Sequence, residues 1–214
     1  MRSTRTASVA GISFIVVYIV AWVISRSPDS DDPAATIAAY YTDKDNRVLE
    51  VISAYLFIVA ALLFLGFVAG LRGRLRSAEG GDATATSIAF GSAIVFAGLV
   101  VAGAMSLAAV PAGMSLGGTK PPSGGDVVNF LQSAGYGMIL VGAMLFAAAS
   151  IAAISVVSIR TSVLPRWTAW LGFVCAFALL FAAVWLPQIA LLIWVLVISI
   201  VSLKAPSRTP VAAQ

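Results

Sequence analysis

Histidine does not occur among the 214 residues, and cysteine occurs once, as Cys175. The first absence removes the commonest ligand for haem, zinc and copper and the usual general base at neutral pH. No cofactor or metal is expected, and a serine relay has no imidazole to serve it. The second excludes an internal disulfide and leaves the redox compartment open. Cys175 reads as a small packing residue, since no base accompanies it. Charge is scarce as well, at 10% of the chain where soluble domains carry about a quarter. GxGxxG and GxxxxGKS/T patterns are missing, and the one GxSxG spelling, Gly113–Gly117, has no histidine in the chain to serve its serine, so no working nucleophile elbow or phosphate loop is legible. No ionisable residue sits in the middle of an apolar run, where pumps and ion-coupled transporters place them.

What the chain has instead is apolar length. Hydrophobic residues make up 60%, and the mean hydropathy is +1.00. Several separate runs are long enough to cross a bilayer, which makes this an integral membrane protein. We expect one all-α domain, a polytopic bundle of six transmembrane helices near 8–25, 48–71, 84–110, 134–159, 166–186 and 188–203. Outer loops would occupy 26–47 and 111–133, and the polar stretch Arg72–Thr86 would be a short loop with three arginines. Pro111 with the glycine-rich segment after it should end the third span. Pro187-Gln188 should break the last apolar stretch, which is too long for a single crossing. The N-terminal run reads as a first span, with a signal peptide cut before Arg26 as the alternative.

Six crossings put both termini on one side. On that side lie Arg2, Arg5, Arg72, Arg74, Arg76, Arg160, Arg166, Lys204 and Arg208, against Arg26, Lys44, Arg47 and Lys120 on the other. The positive-inside rule then makes the terminal side cytoplasmic. Seven of the nine acids fall outside. Most basic residues flank apolar runs, so the net charge of +4 gives no reason to invoke nucleic acid.

The stretch from Pro28 to Arg76 organises the rest, with carboxylates before a spanning run and an arginine collar, LRGRLR, after it. Asp32-Pro33 is a helix start, and Ile37, Tyr40 and Tyr41 share one side of the short helix that follows. Their rings suit the headgroup level with hydroxyls kept wet. Counting back some twenty residues from Arg72 puts Ser53 at the outer boundary and Glu50 just beyond it. Asp43, Arg47 and Glu50 fall at i, i+4 and i+7, so Arg47 can bridge both acids. Asp29, Asp31 and Asp32 lack the glycine and the glutamate of a calcium loop. Asn129, Gln132, Ser133 and Tyr136 form a polar stripe on the helix leading into span four, and amides there should avoid lipid. Together Tyr40, Tyr41, Asp43, Arg47, Glu50, Ser53, Tyr55, Asn129, Gln132 and Tyr136 are candidates for an outer ligand-binding vestibule. The plainer reading is an ion-pair cap and interhelical hydrogen bonds.

Small residues four apart mark the packing seams: Gly66 and Gly70; Ala89, Ala93 and Ala97; Ala102 and Ser106; Ser133 and Gly137; Ala149 and Ala153. They serve intrachain packing first, and a homo-oligomer or membrane-protein partner second.

The TSVLPRWTAWLG segment, 161–172, together with Ala39-Tyr40-Tyr41-Thr42-Asp43, Arg47 and the collar Leu71–Gly80, resembles a group of multispanning membrane proteins common in actinobacteria. That resemblance implies six spans and a plasma membrane, and it brings no activity or catalytic residues. In physical terms, Pro165 starts a helix, Arg166 stays at the headgroups, and Trp167 and Trp170 anchor the interface. The functional expectation is a non-enzymatic binding or accessory subunit that uses its outer face for a lipid, small molecule or partner. A facilitative transporter or channel for a small solute is the alternative, and an intramembrane lipid enzyme comes last.

Overall fold

A computed structural model describes residues 2–28, 32–120, 125–182 and 186–204. Among these residues the chain is all helix. It comprises α1 (Arg2–Ile24), α2 (Ala34–Thr42), α3 (Lys44–Glu79), α4 (Thr84–Leu116), α5 (Gly125–Tyr136), a π-helical segment (Gly137–Ala143), α6 (Met144–Thr161), α7 (Arg166–Leu179), a 3₁₀ turn (Leu186–Gln188) and α8 (Ile189–Lys204). Five stretches are long and apolar enough to cross a membrane, and α7 is a shorter apolar helix. The long helices close into a ring in which α1 touches α3, α3 touches α4, then α4 meets α6, α6 meets α7, α7 meets α8, and α8 returns to α1.

Several boundaries differ from the sequence reading. The arginine collar is not a loop, because α3 runs through it to Glu79. Leu71 and Leu75 are buried one turn apart, so the helix continues to seat a leucine per turn while Arg76 faces outward. It stops where Gly80 and Gly81 take positive φ of 67° and 49°, a region that favours glycine. Glu79 then caps the next helix, its carboxylate accepting from the Ala85 N–H, the Thr86 N–H and the Thr86 hydroxyl.

Pro111 does not end α4, which continues to Leu116. Proline forfeits one hydrogen bond of the ladder, yet this end is held by packing. Val110 and Met114 lie against Ile37, Tyr41 and Val128 of α2 and α5, and such contact outweighs local propensity. The outer segment expected as loop 111–133 is helical at both ends. Asp32 does not open α2, whose N-cap is Pro33. The fifth span, expected to reach 186, has helix only to Leu179, and 183–185 lie outside the described residues. Asp29 and Asp31 and the tail with Arg208 lie outside them too.

Two close crossings set the geometry. A Cβ on Gly103 would sit 2.7 Å from the Gly135 carbonyl oxygen, and one on Gly135 would sit 2.9 Å from that of Gly103. α4 and α5 therefore meet backbone to backbone, just before the π-helical segment begins at Gly137. On the other side of the ring, a Cβ on Gly70 would come within 2.5 Å of the Ala7 Cβ, so the glycine pair in α3 serves contact within the chain.

The centre of the bundle is aromatic. Phe14, Phe57, Phe64, Phe67 and Phe96 are all buried. Ring centroids lie 5.4 Å apart for Phe14 and Phe64, and 4.4 Å apart for Phe64 and Phe96. This apolar layer separates a polar group of residues around Glu50 from the arginine end.

Candidate functional site

Glu50 lies in the second turn of α3 and is 3% exposed. One carboxylate oxygen accepts from the Tyr40 hydroxyl at 2.9 Å and the Arg26 N–H at 3.0 Å. The other accepts from the Ser25 hydroxyl at 3.1 Å. A carboxylate has about four lone-pair sites, so three donors come close to satisfying it. These donors come from two chain segments, the exit of α1 and the short helix α2. Glu50 thus ties both to the start of α3.

Helix α2 is strapped down from its C-terminal end. Arg47 donates to the main-chain carbonyls of Tyr41 and Thr42 at 2.6 and 2.8 Å, and Asn46 reaches that of Tyr40 at 3.3 Å. A cation at this terminus complements both the orphan carbonyls and the helix dipole. The expected bridge from Arg47 to Asp43 and Glu50 therefore does not form. Capping offers fixed acceptors, and Asp43 is itself engaged as the α3 N-cap, accepting from the Asp45 N–H at 2.8 Å.

The tyrosine hydroxyls are not wet, as the sequence suggested, but internal. Tyr41 is buried, and its oxygen accepts from the Gln132 amide at 2.9 Å, joining α2 to α5. The two tyrosine rings stand edge to face at 5.2 Å. Burial, and then the nearby Glu50 charge, push Tyr40 well above the usual phenol range. The same two causes push Tyr41 up to about 12, against the pull of its hydrogen bonds to Ser27 and Gln132. Both phenols remain neutral at physiological pH, so Tyr40 keeps the proton it shares with Glu50.

Beneath this cap, the Ser53 hydroxyl donates to the Ala21 carbonyl at 2.9 Å. Tyr136 stacks on Trp22 with centroids 6.0 Å apart and planes 12° from parallel. The structure brings together Tyr40, Tyr41, Arg47, Glu50 and Gln132, with Ser53 and Tyr136 one layer below. Asn129 is half-buried one turn before Gln132. Asp43 stays exposed at the helix junction. Tyr55 is 63% exposed and turns away from the cluster.

Sequence reading missed Ser25, the Arg26 amide and Trp22. It also missed a buried pair deeper in the bundle, where the Tyr18 hydroxyl donates to Gln188 at 2.9 Å. One signal was available, since Phe14, Tyr18 and Trp22 recur every four residues along α1. Among the described residues no group of three metal-ligating side chains converges. Comparison of the chain with protein families, with curated proteins and with solved structures returns no match. The arrangement itself can offer a carboxylate and two neutral phenols to a ligand that brings donors of its own.

Proposed function

We propose that the protein is a six-span protein of the plasma membrane with both termini in the cytoplasm, and that it works as a non-enzymatic binding or accessory subunit. α7, with Trp167 and Trp170 exposed at its start, serves as the fifth crossing in this reading. The unequal split of basic residues between the two ends sets the orientation. The likeness to the actinobacterial six-span group points the same way.

One observation carries the functional part. A buried carboxylate is held at one end of the bundle, the outer end in this reading, by exchangeable donors from a short helix and a loop, above a bundle centre packed with phenylalanine. A ligand or partner offering amine, hydroxyl or amide donors can replace Ser25 and Tyr40 at Glu50, and α2 would move to admit it. The phenylalanine layer argues against a standing polar conduit, so binding is favoured over transport. With no histidine in the chain and no base beside Cys175, binding is also favoured over catalysis.

The test is purification in mild detergent with identification of retained lipids and proteins, comparing the wild type with Glu50→Gln and Tyr40→Phe. Selective loss of one retained species in both variants supports the reading. An unchanged set of retained species in both removes the outer-face proposal.

A further inference from the structure

α1 packs against α3 and α8 at the arginine end, and there the Ser199 and Ser202 hydroxyls and the Nη1 of Arg74 are left without partners. Three levels describe the junction. At the first, a Cβ on Gly11 of α1 would collide with the Ser199 hydroxyl of α8, and it would lie 2.8 Å from the Phe67 ring of α3. One turn nearer the end, Ala7 meets Gly70, and Ser202 is 4% exposed with no partner for its hydroxyl. α1 and α3 run antiparallel, so one turn further on, the first turn of α1 comes level with Arg74. The Nη1 nitrogen of Arg74 is enclosed and also has no partner.

The two hydroxyls differ from their counterparts elsewhere, whereas an enclosed, unpartnered guanidinium nitrogen also occurs at Arg47. Ser77, Ser87, Ser155, Ser158 and Thr161 each donate to the carbonyl four residues back, whereas Ser199 and Ser202 do not. The neighbouring Arg72 is laid over the Phe90 ring at 4.5 Å, on the α4 side. Glu79 is committed to the start of α4, so it is not free for Arg74. The first turn of α1 carries no acid, and the leading amides of a helix have no acceptor within it.

An enclosed guanidinium nitrogen without an acceptor is costly. Across these levels, a buried hydroxyl lies about one turn away and the positive end of a helix lies level with it, and each of these groups can donate. The complement is an oxyanion. We infer that the α1–α3–α8 junction binds a phosphate group, with Arg74 contacting its oxygens and Ser202 and the first turn of α1 completing the cradle. The phosphate belongs either to an anionic phospholipid headgroup or to a free phosphate compound. This proposal is independent of the Glu50 cap.

The full-length protein in detergent is titrated with phosphatidylglycerol or phosphatidylcholine and bound lipid is read by native mass spectrometry. In parallel, unfolding temperature is followed with added inorganic phosphate. One charge-assisted contact corresponds to a change of about tenfold in affinity. Arg74→Gln should lower phosphatidylglycerol retention by about that factor, with Ser202→Ala giving a smaller loss in the same direction. Arg76→Gln, an exposed position with the same charge change, should leave retention in place. A response confined to phosphatidylglycerol assigns the phosphate to a lipid. A phosphate-dependent rise in unfolding temperature that Arg74→Gln abolishes assigns it to a free anion. Equal retention of the two lipids with no phosphate response overturns the inference, as does an equal loss from Arg76→Gln and Arg74→Gln. Should Arg74→Gln fail to fold, undiminished phosphatidylglycerol retention and phosphate response in Ser202→Ala overturn it instead.

Discussion

The two ends of the bundle handle polar groups differently. At the Glu50 end, the carboxylate, the phenols and the last carbonyls of α2 are matched by groups from the exit of α1, α2, α3 and α5, while the Nε of Arg47 is enclosed there without a partner. At the arginine end, guanidinium and hydroxyl donors remain enclosed without acceptors. A cap whose carboxylate and phenols are matched from within opens only for a ligand that replaces those bonds. An end with unmatched donors is completed from outside. The same helix, α3, supplies the central residue of each, Glu50 near its start and Arg74 near its finish.

The largest effect that would sharpen this contrast is expected at Glu50. Glu50→Ala strands three donors in a buried setting, each worth roughly 1–3 kcal/mol, and should lower stability by about 3 kcal/mol or more. The exposed Arg76→Ala should change it by less than about 0.5 kcal/mol. Thermal unfolding in detergent reads both, and comparable losses would erase the distinction between the ends. Next comes Arg47→Met, which frees two carbonyls of α2 and should cost about 1–2 kcal/mol. Hydrogen exchange should show this as faster exchange confined to 34–42. Exchange that spreads into α1 and α4 would mean that α2 is not a separate element.

Smaller still is the Tyr41–Gln132 bond. A double-mutant cycle with Tyr41→Phe and Gln132→Leu should give a coupling of about 1 kcal/mol, and a value near zero would detach α5 from the cap. The pH dependence refines this. Folding raises the phenol of Tyr41 from its ordinary value near 10 to about 12, so its neutral form is favoured in the folded state. That contribution is complete below pH 10 and disappears as pH rises towards 12. Wild type should lose stability in that window, and Tyr41→Phe should lose less of it.

Counting along α3 fixes where Glu50 falls on the helix but not how that end is built. Glu50 was placed near the outer boundary by counting residues back from the collar, a one-dimensional measure that a regular helix preserves. Its partners could not be found that way, because Ser25 and Arg26 reach it through the course of the chain beyond α1. The Gly103–Gly135 crossing escaped for a related reason. Small residues were sought four apart on one helix, whereas this approach needs one glycine from each of two helices. Pro111 and Arg72–Glu79 were misread because local helix-breaking and polar character were weighed without the packing that overrides them. The apolar runs themselves were legible, since length and hydropathy belong to the segment alone.

In the proposed orientation α3 spans the membrane, with the Glu50 cap on the outer side and the arginine end in the cytoplasm. Single cysteines at Lys44 and at Arg76, both exposed, would be introduced in a Cys175→Ala background and treated with a membrane-impermeant thiol reagent on intact cells. Labelling of the Lys44 position in intact cells, with the Arg76 position labelled only after permeabilisation, is the predicted result. Labelling of both positions from the same side would contradict it.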